Sequence, residues 1–86
     1  SYLQSLSEAE TVPTQLLFFN RGAFLTNQAA NTLADLQQLA EKGTTIQTCG
    51  ACLDFYHLTD TLAIGSITNM YEIVETMNQA AKVITL

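Results

Sequence analysis

Thr44-Thr45-Ile46-Gln47-Thr48-Cys49-Gly50-Ala51-Cys52-Leu53-Asp54-Phe55-Tyr56-His57 is the stretch on which the reading of this chain turns. Thr44 to Thr48 is rich in β-branched side chains, which suit a pleated strand. After Gly50 the apolar residues take up helical spacing. The stretch therefore predicts a strand, a tight glycine turn and a helix N-terminus, with Cys49 and Cys52 on either side of the turn. Such a place suits sulfur chemistry. Unpaired N–H groups and the positive end of a helix dipole lower the pKa of a thiolate. The carboxyl end of a strand is also where open α/β sheets place their ligands.

Outward from this stretch, Tyr2, Leu3 and Leu6 have helical spacing over Ser1 to Leu6, and Pro13 punctuates the loop that follows. Thr14 to Phe19 is an apolar run expected as a strand buried on both faces. Asn20-Arg21-Gly22 ends it with turn chemistry. Asn27 to Lys42 reads as a helix, with Ala29, Leu33, Leu36 and Ala40 on its apolar face. Thr26 or Asn27 is its expected cap and Gly43 its stop. Beyond the cysteines, a short helix is expected over Leu53 to Leu58, and a brief strand over Leu62-Ala63-Ile64, closed by Gly65. A last helix, capped by Ser66 or Thr68, turns Met70, Ile73, Val74 and Met77 to one side. Lys82 to Leu86 reads as a final strand. Strands alternating with helices imply crossover connections and a parallel sheet with helices on both faces. The leading helix fragment implies a first strand missing ahead of it. Residues 1–86 read as a single domain.

Composition narrows the function. The chain has 86 residues, a net charge of −5 and only three basic side chains, Arg21, Lys42 and Lys82. Three scattered cations cannot form the basic stripe that nucleic acid requires, and an anionic membrane surface is disfavoured for the same reason. No apolar run approaches a membrane span and no signal pattern opens the chain, so a cytoplasmic setting with free cysteines is expected. Only 13% of residues are charged and 48% are hydrophobic, whereas ordinary domains carry about a quarter charged residues. The deficit predicts a surface covered by a second copy of the chain. A clean monomer in light scattering at micromolar concentration would contradict that expectation.

The C-x-x-C spacing admits a redox dithiol, a persulfide carrier with one activated thiolate, or two inert buried cysteines. Zinc needs four ligands, and one chain offers Cys49, Cys52 and at most His57, so no resident metal is expected. No other cofactor is expected either. His57 reads as a surface histidine more readily than as a proton donor to the site. Asp54 suits a first helical turn, and Phe55 and Tyr56 suit a core or an interface. Arg21 is a candidate anion contact beside the cysteine loop, with Asn20 and Gly22 next to it. Thr68 and Asn69 open a helix at what should be the same edge. Asn20, Arg21, Gly50 and Asn69 are thus the candidate substrate-binding residues around Cys49 and Cys52. The chain lacks a G-x-S-x-G elbow, a glycine-rich phosphate loop and suitably spaced paired carboxylates.

Four strings together resemble the DsrE-like domain of YedF proteins: Leu17-Phe18-Phe19-Asn20-x-Gly22, Leu36 through Gly43, Thr48 through Tyr56, and Gly65-x-x-Thr68-Asn69-Met70-Tyr71. The likeness runs from Tyr2 to Leu86. It implies a DsrE/DsrF-type α/β fold with a flavodoxin-like parallel sheet, in small oligomeric subunits that relay sulfur as a cysteine persulfide. It also implies a link to selenium metabolism and a TusA-like domain as donor or acceptor, a domain that would precede this one. The family's sulfur-loading position follows the strand and maps to Cys49, with Cys52 close by. The resulting expectation is a sulfurtransferase-like carrier of sulfur or selenium. The alternatives are a thiol–disulfide oxidoreductase and a non-catalytic oligomeric adaptor in selenium metabolism.

Overall fold

Alternate side chains of a strand point to the same face, so Leu16, Phe18 and Ile46 share one side of a sheet once their strands pair in parallel. A computed structural model, which describes residues 2–83, shows that pairing. β1 (Gln15–Phe18) lies beside β2 (Thr45–Cys49) with Leu16 opposite Ile46 and Phe18 opposite Thr48. β3 (Ser66–Thr68) lies on the other side of β2 with Cys49 opposite Thr68. The three-stranded sheet has the order β1-β2-β3. Its strands are all parallel, and helices flank it. The expected α/β class is therefore the observed one.

Helices α1 (Tyr2–Glu8) and α2 (Leu33–Glu41) cover the Leu16–Phe18–Ile46 face. Leu3, Leu36 and Leu39 form one buried cluster with Phe18 and Ile46, and Leu16 and Ile64 pack at its margin. Burying a leucine fully stabilises by about 1.5–3 kcal/mol, so Leu36 and Leu39, both fully buried, anchor α2 on the sheet. Lys42, just past α2, gives its Nζ to the carbonyls of Ser7 and Ala9, which closes the open end of α1. α3 (Gly50–Phe55) follows β2 directly, and α4 (Met70–Gln79) follows β3.

Several sequence expectations shift. The helix expected from Asn27 starts only at Leu33. Thr26 instead closes a 3-10 segment, Asn20–Thr26. Its hydroxyl donates to the Ala23 carbonyl and pairs with the Thr48 hydroxyl. The Asn27 amide also donates to Ala23, while its carbonyl oxygen accepts from Thr61. Neither side chain is free to cap a helix. β1 is buried fully only at Phe18, with Gln15, Leu16 and Leu17 half-buried. Leu62-Ala63-Ile64 is not a strand. Leu62 makes a single antiparallel bridge with Asn27, and the third strand comes just after it at Ser66–Thr68. Asn69, not Ser66 or Thr68, caps α4 by accepting from the Glu72 N–H at 2.9 Å. The expected strand over Lys82 to Leu86 lies largely outside the described residues, and Lys82 and Val83 are not in a strand.

Gly65 explains why β3 begins where it does. Its φ is +80°, and a Cβ there would sit 2.4 Å from the Ile46 carbonyl oxygen. Only glycine lets the chain cross β2 this closely. Gly65→Ala should therefore cost at least about 2 kcal/mol of unfolding free energy, read as a lower urea midpoint with an unchanged m-value.

Candidate functional site

The carboxyl ends of the three parallel strands lie along one edge of the sheet, β1 ending at Phe18, β2 at Cys49 and β3 at Thr68. Cys49 is the last residue of β2. Its extended backbone (φ −64°, ψ 124°) makes it the N-cap of α3, so strand passes to helix with no intervening turn. Gly50 is the first helical residue rather than a turn. A Cβ on Gly50 would lie 2.9 Å from Cγ2 of Ile67 and 3.5 Å from the Thr68 carbonyl oxygen. Glycine is required there so that the end of β3 can close against the start of α3.

The two cysteines differ in exposure. Cys49 is fully buried, whereas Cys52 is half-buried, and both are free thiols. The Cys52 Sγ accepts a hydrogen bond from the backbone N–H of Asn20 at 3.0 Å, and the Cys49 thiol is its neighbour. Burial pushes the Cys52 thiol above the usual thiol range. The Asn20 N–H opposes that push, while the neighbouring Cys49 thiol adds to it. Burial at Cys52 thus opposes the lowering expected from a helix start. α3 is only six residues long, so its dipole is small, and desolvation prevails.

The other predicted residues fall at different distances from the chemistry. Asn20 reaches Cys52 through its main chain. Arg21 is exposed on the 3-10 segment beside it. Asn69 lies one residue beyond Thr68, and its side chain is committed to capping α4. Thr68 is buried opposite Cys49 and donates to a Glu72 carboxylate oxygen at 2.7 Å. Asp54 accepts from the Thr59 hydroxyl, and His57 is exposed with φ +59°. His57 lines a cleft of about 230 Å³ with Asp54, Thr59 and Asp60, and neither cysteine belongs to it. Tyr56 is half-buried against Phe24, with ring centroids 4.9 Å apart, whereas Phe55 is 76% exposed. Among the described residues no three His, Cys, Asp or Glu side chains gather as metal ligands would. No described helix is long and apolar enough to cross a membrane.

Sequence reasoning missed the buried hydroxyl pair of Thr26 and Thr48, 2.9 Å apart, which holds the 3-10 segment against the end of β2. The partners are 22 residues apart and no local pattern marks them.

A raised thiol pKa in the folded state favours folding while the thiol is protonated. That contribution is complete below the ordinary thiol pKa of about 8.5 and is lost as pH rises through the higher folded value. The unfolding midpoint should consequently fall with alkaline pH less steeply in Cys52→Ser than in the parent protein. Under native conditions a small alkylating reagent should label Cys52 well before Cys49, at a rate that climbs with pH. Peptide mapping after brief exposure reads both.

No curated protein and no solved structure matches the chain. The family model of the DsrE/DsrF-like proteins matches residues 4–86, nearly its whole length. A parallel sheet of the expected class, with the cysteine pair where its strands end, agrees with that match, and the chain belongs to the DsrE/DsrF-like family.

Proposed function

We propose that this protein relays sulfur as a persulfide on its C-x-x-C pair and that Cys52 is the residue loaded. The observation that carries the reading is the difference in exposure. Cys52 is reachable and has a main-chain donor on its sulfur, while Cys49 is fully buried. Membership of a family associated with sulfur relay supports the same reaction class.

In the loading step the Cys52 thiolate attacks the outer sulfur of a donor persulfide. The donor's S–S bond breaks as the new one forms, and the electron pair leaves on the donor's thiolate. One sulfur atom moves, and the acceptor thiolate becomes a persulfide without any external oxidant or reductant. Delivery repeats the exchange, with Cys52 as the leaving thiolate. The Cys49 thiol beside it has a second role. Its attack on the inner sulfur of the Cys52 persulfide closes a Cys49–Cys52 disulfide and expels hydrogen sulfide, which ends the relay. The closeness of the two thiols also favours a second reading, the thiol–disulfide oxidoreductase.

Exposed apolar side chains near the site suit protein partners. Ile67 stands against Gly50, and Met70, Tyr71 and Val74 are exposed on the helix that follows β3. A second copy of the chain and a TusA-like donor or acceptor are the partners proposed. Selenium on the same thiolate is the cargo that the YedF likeness adds, and a selenium-bearing donor in the assay below distinguishes it by mass.

Incubation with a small-molecule persulfide donor followed by intact mass under non-reducing conditions tests the relay. Cys49→Ser should gain the mass of one sulfur, reversibly with reductant, and Cys52→Ser should not. Loss of two hydrogens in the parent protein with no sulfur gained by Cys49→Ser would favour the oxidoreductase. No change in any form would sink both readings.

A further inference from the structure

Asn20 is one of two residues other than glycine with positive φ among those described, at +53°. Backbones of this kind are uncommon outside glycine, and asparagine tolerates them better than most residues. The preceding residue, Phe19, is fully extended (φ −148°, ψ 170°). The reversal at Asn20 thus turns the chain from β1 into the 3-10 segment within a single residue. It also aims the Asn20 N–H at the Cys52 Sγ, 32 residues away in sequence.

We infer that Asn20 is a positioning residue whose left-handed backbone, rather than its side chain, holds an N–H donor on the sulfur of Cys52. The inference rests on the relay reading for its purpose but not for its test. Hydrogen bonds to a charged group are stronger than those to a neutral one. The Asn20 N–H therefore favours the thiolate over the thiol, at the moment Cys52 attacks and again when it departs as the leaving group. The contact is held from both sides. The 3-10 segment is tied to β2 by the Thr26–Thr48 pair and to the end of α3 by the Phe24–Tyr56 ring contact. An N–H fixed in this way needs little reorganisation when charge develops on the sulfur.

The two parts of Asn20 can be separated by substitution. Valine resists positive φ, so Asn20→Val swings the N–H off the sulfur, whereas Asn20→Gly keeps the backbone and removes only the side chain. Both are made in a Cys49→Ser background so that one thiol is read. The Cys52 titration is followed by thiolate absorbance and by alkylation rate against pH, with no sulfur donor present. Asn20→Val should raise the titration midpoint and slow alkylation at neutral pH about tenfold, as expected for loss of one charge-assisted hydrogen bond. Asn20→Gly should recover the midpoint of the background protein. If Asn20→Val does not give a cooperative unfolding transition, the milder Asn20→Ala takes its place, with the same direction expected. An unchanged midpoint in the valine or alanine variant overturns the inference. A glycine variant as impaired as valine would overturn it too, because the side chain would then be the contact. Since the titration needs no persulfide, its outcome stands apart from that of the loading assay.

Discussion

The buried hydroxyl pair of Thr26 and Thr48 fixes the two segments that meet at the cysteines. Both residues are fully buried. Thr26 spends its hydrogen on the Ala23 carbonyl, so Thr48 donates to Thr26, and each hydroxyl is satisfied without water. An unpaired buried hydroxyl would cost about 1–3 kcal/mol, which makes the alignment demanding as well as stabilising. Thr48 immediately precedes Cys49, and Thr26 closes the segment that begins at Asn20. The bond therefore sets the height of Cys49 at the end of β2 and the position of the Asn20 N–H above Cys52. The same corner is braced by the Ala63 N–H on the Thr26 carbonyl and by Thr61 on Asn27. A loop that lies on the surface in sequence terms becomes part of the scaffold.

Local patterns are legible where neighbours in sequence decide the conformation. The apolar run ending at Phe18 and the β-branched run ending at Thr48 are both strands, since their side chains suit a pleated surface whatever lies across it. Leu36 and Leu39 sit on the buried face of α2, and the helix stops before Gly43. Legibility ends where a distant partner claims a side chain. Thr26 and Asn27 have the chemistry of helix caps, but Thr48 and Thr61 recruit them, and α2 begins six residues past Asn27. Leu62-Ala63-Ile64 is apolar enough for a strand. The close passage of Gly65 over Ile46 nevertheless places the sheet pairing after it, on the more polar Ser66–Thr68.

The site divides along the same line. The spacing of Cys49 and Cys52 put both sulfurs near a helix start, and the structure places them there. Their inequality was invisible, because it depends on β2 running directly into α3 and on β3 closing over Gly50. Asn20 is a candidate from its place after β1, and the contact it makes is a main-chain N–H that any residue with the same φ would offer. The apolar spacing of Met70, Ile73, Val74 and Met77 on the last helix was also correct, but only Ile73 is buried. Met70 and Val74 remain exposed, as does Ile67 on β3.

The opposing influences on Cys52 bear on which sulfur chemistry the pair suits. Burial and the neighbouring thiol hold the proton on, while the Asn20 N–H favours letting it go. Dithiol oxidants depend on a strongly depressed pKa, because a stable thiolate is a good leaving group and keeps the reduced form favoured. Here the balance runs the other way. A thiolate of higher pKa is scarcer at neutral pH but intrinsically more nucleophilic, and once it carries a sulfur it is a poorer leaving group. A sulfur of that character would be slow to oxidise its neighbours. A dithiol oxidant needs the opposite balance, and on that ground the relay proposed for the pair suits its electrostatics better than disulfide exchange does.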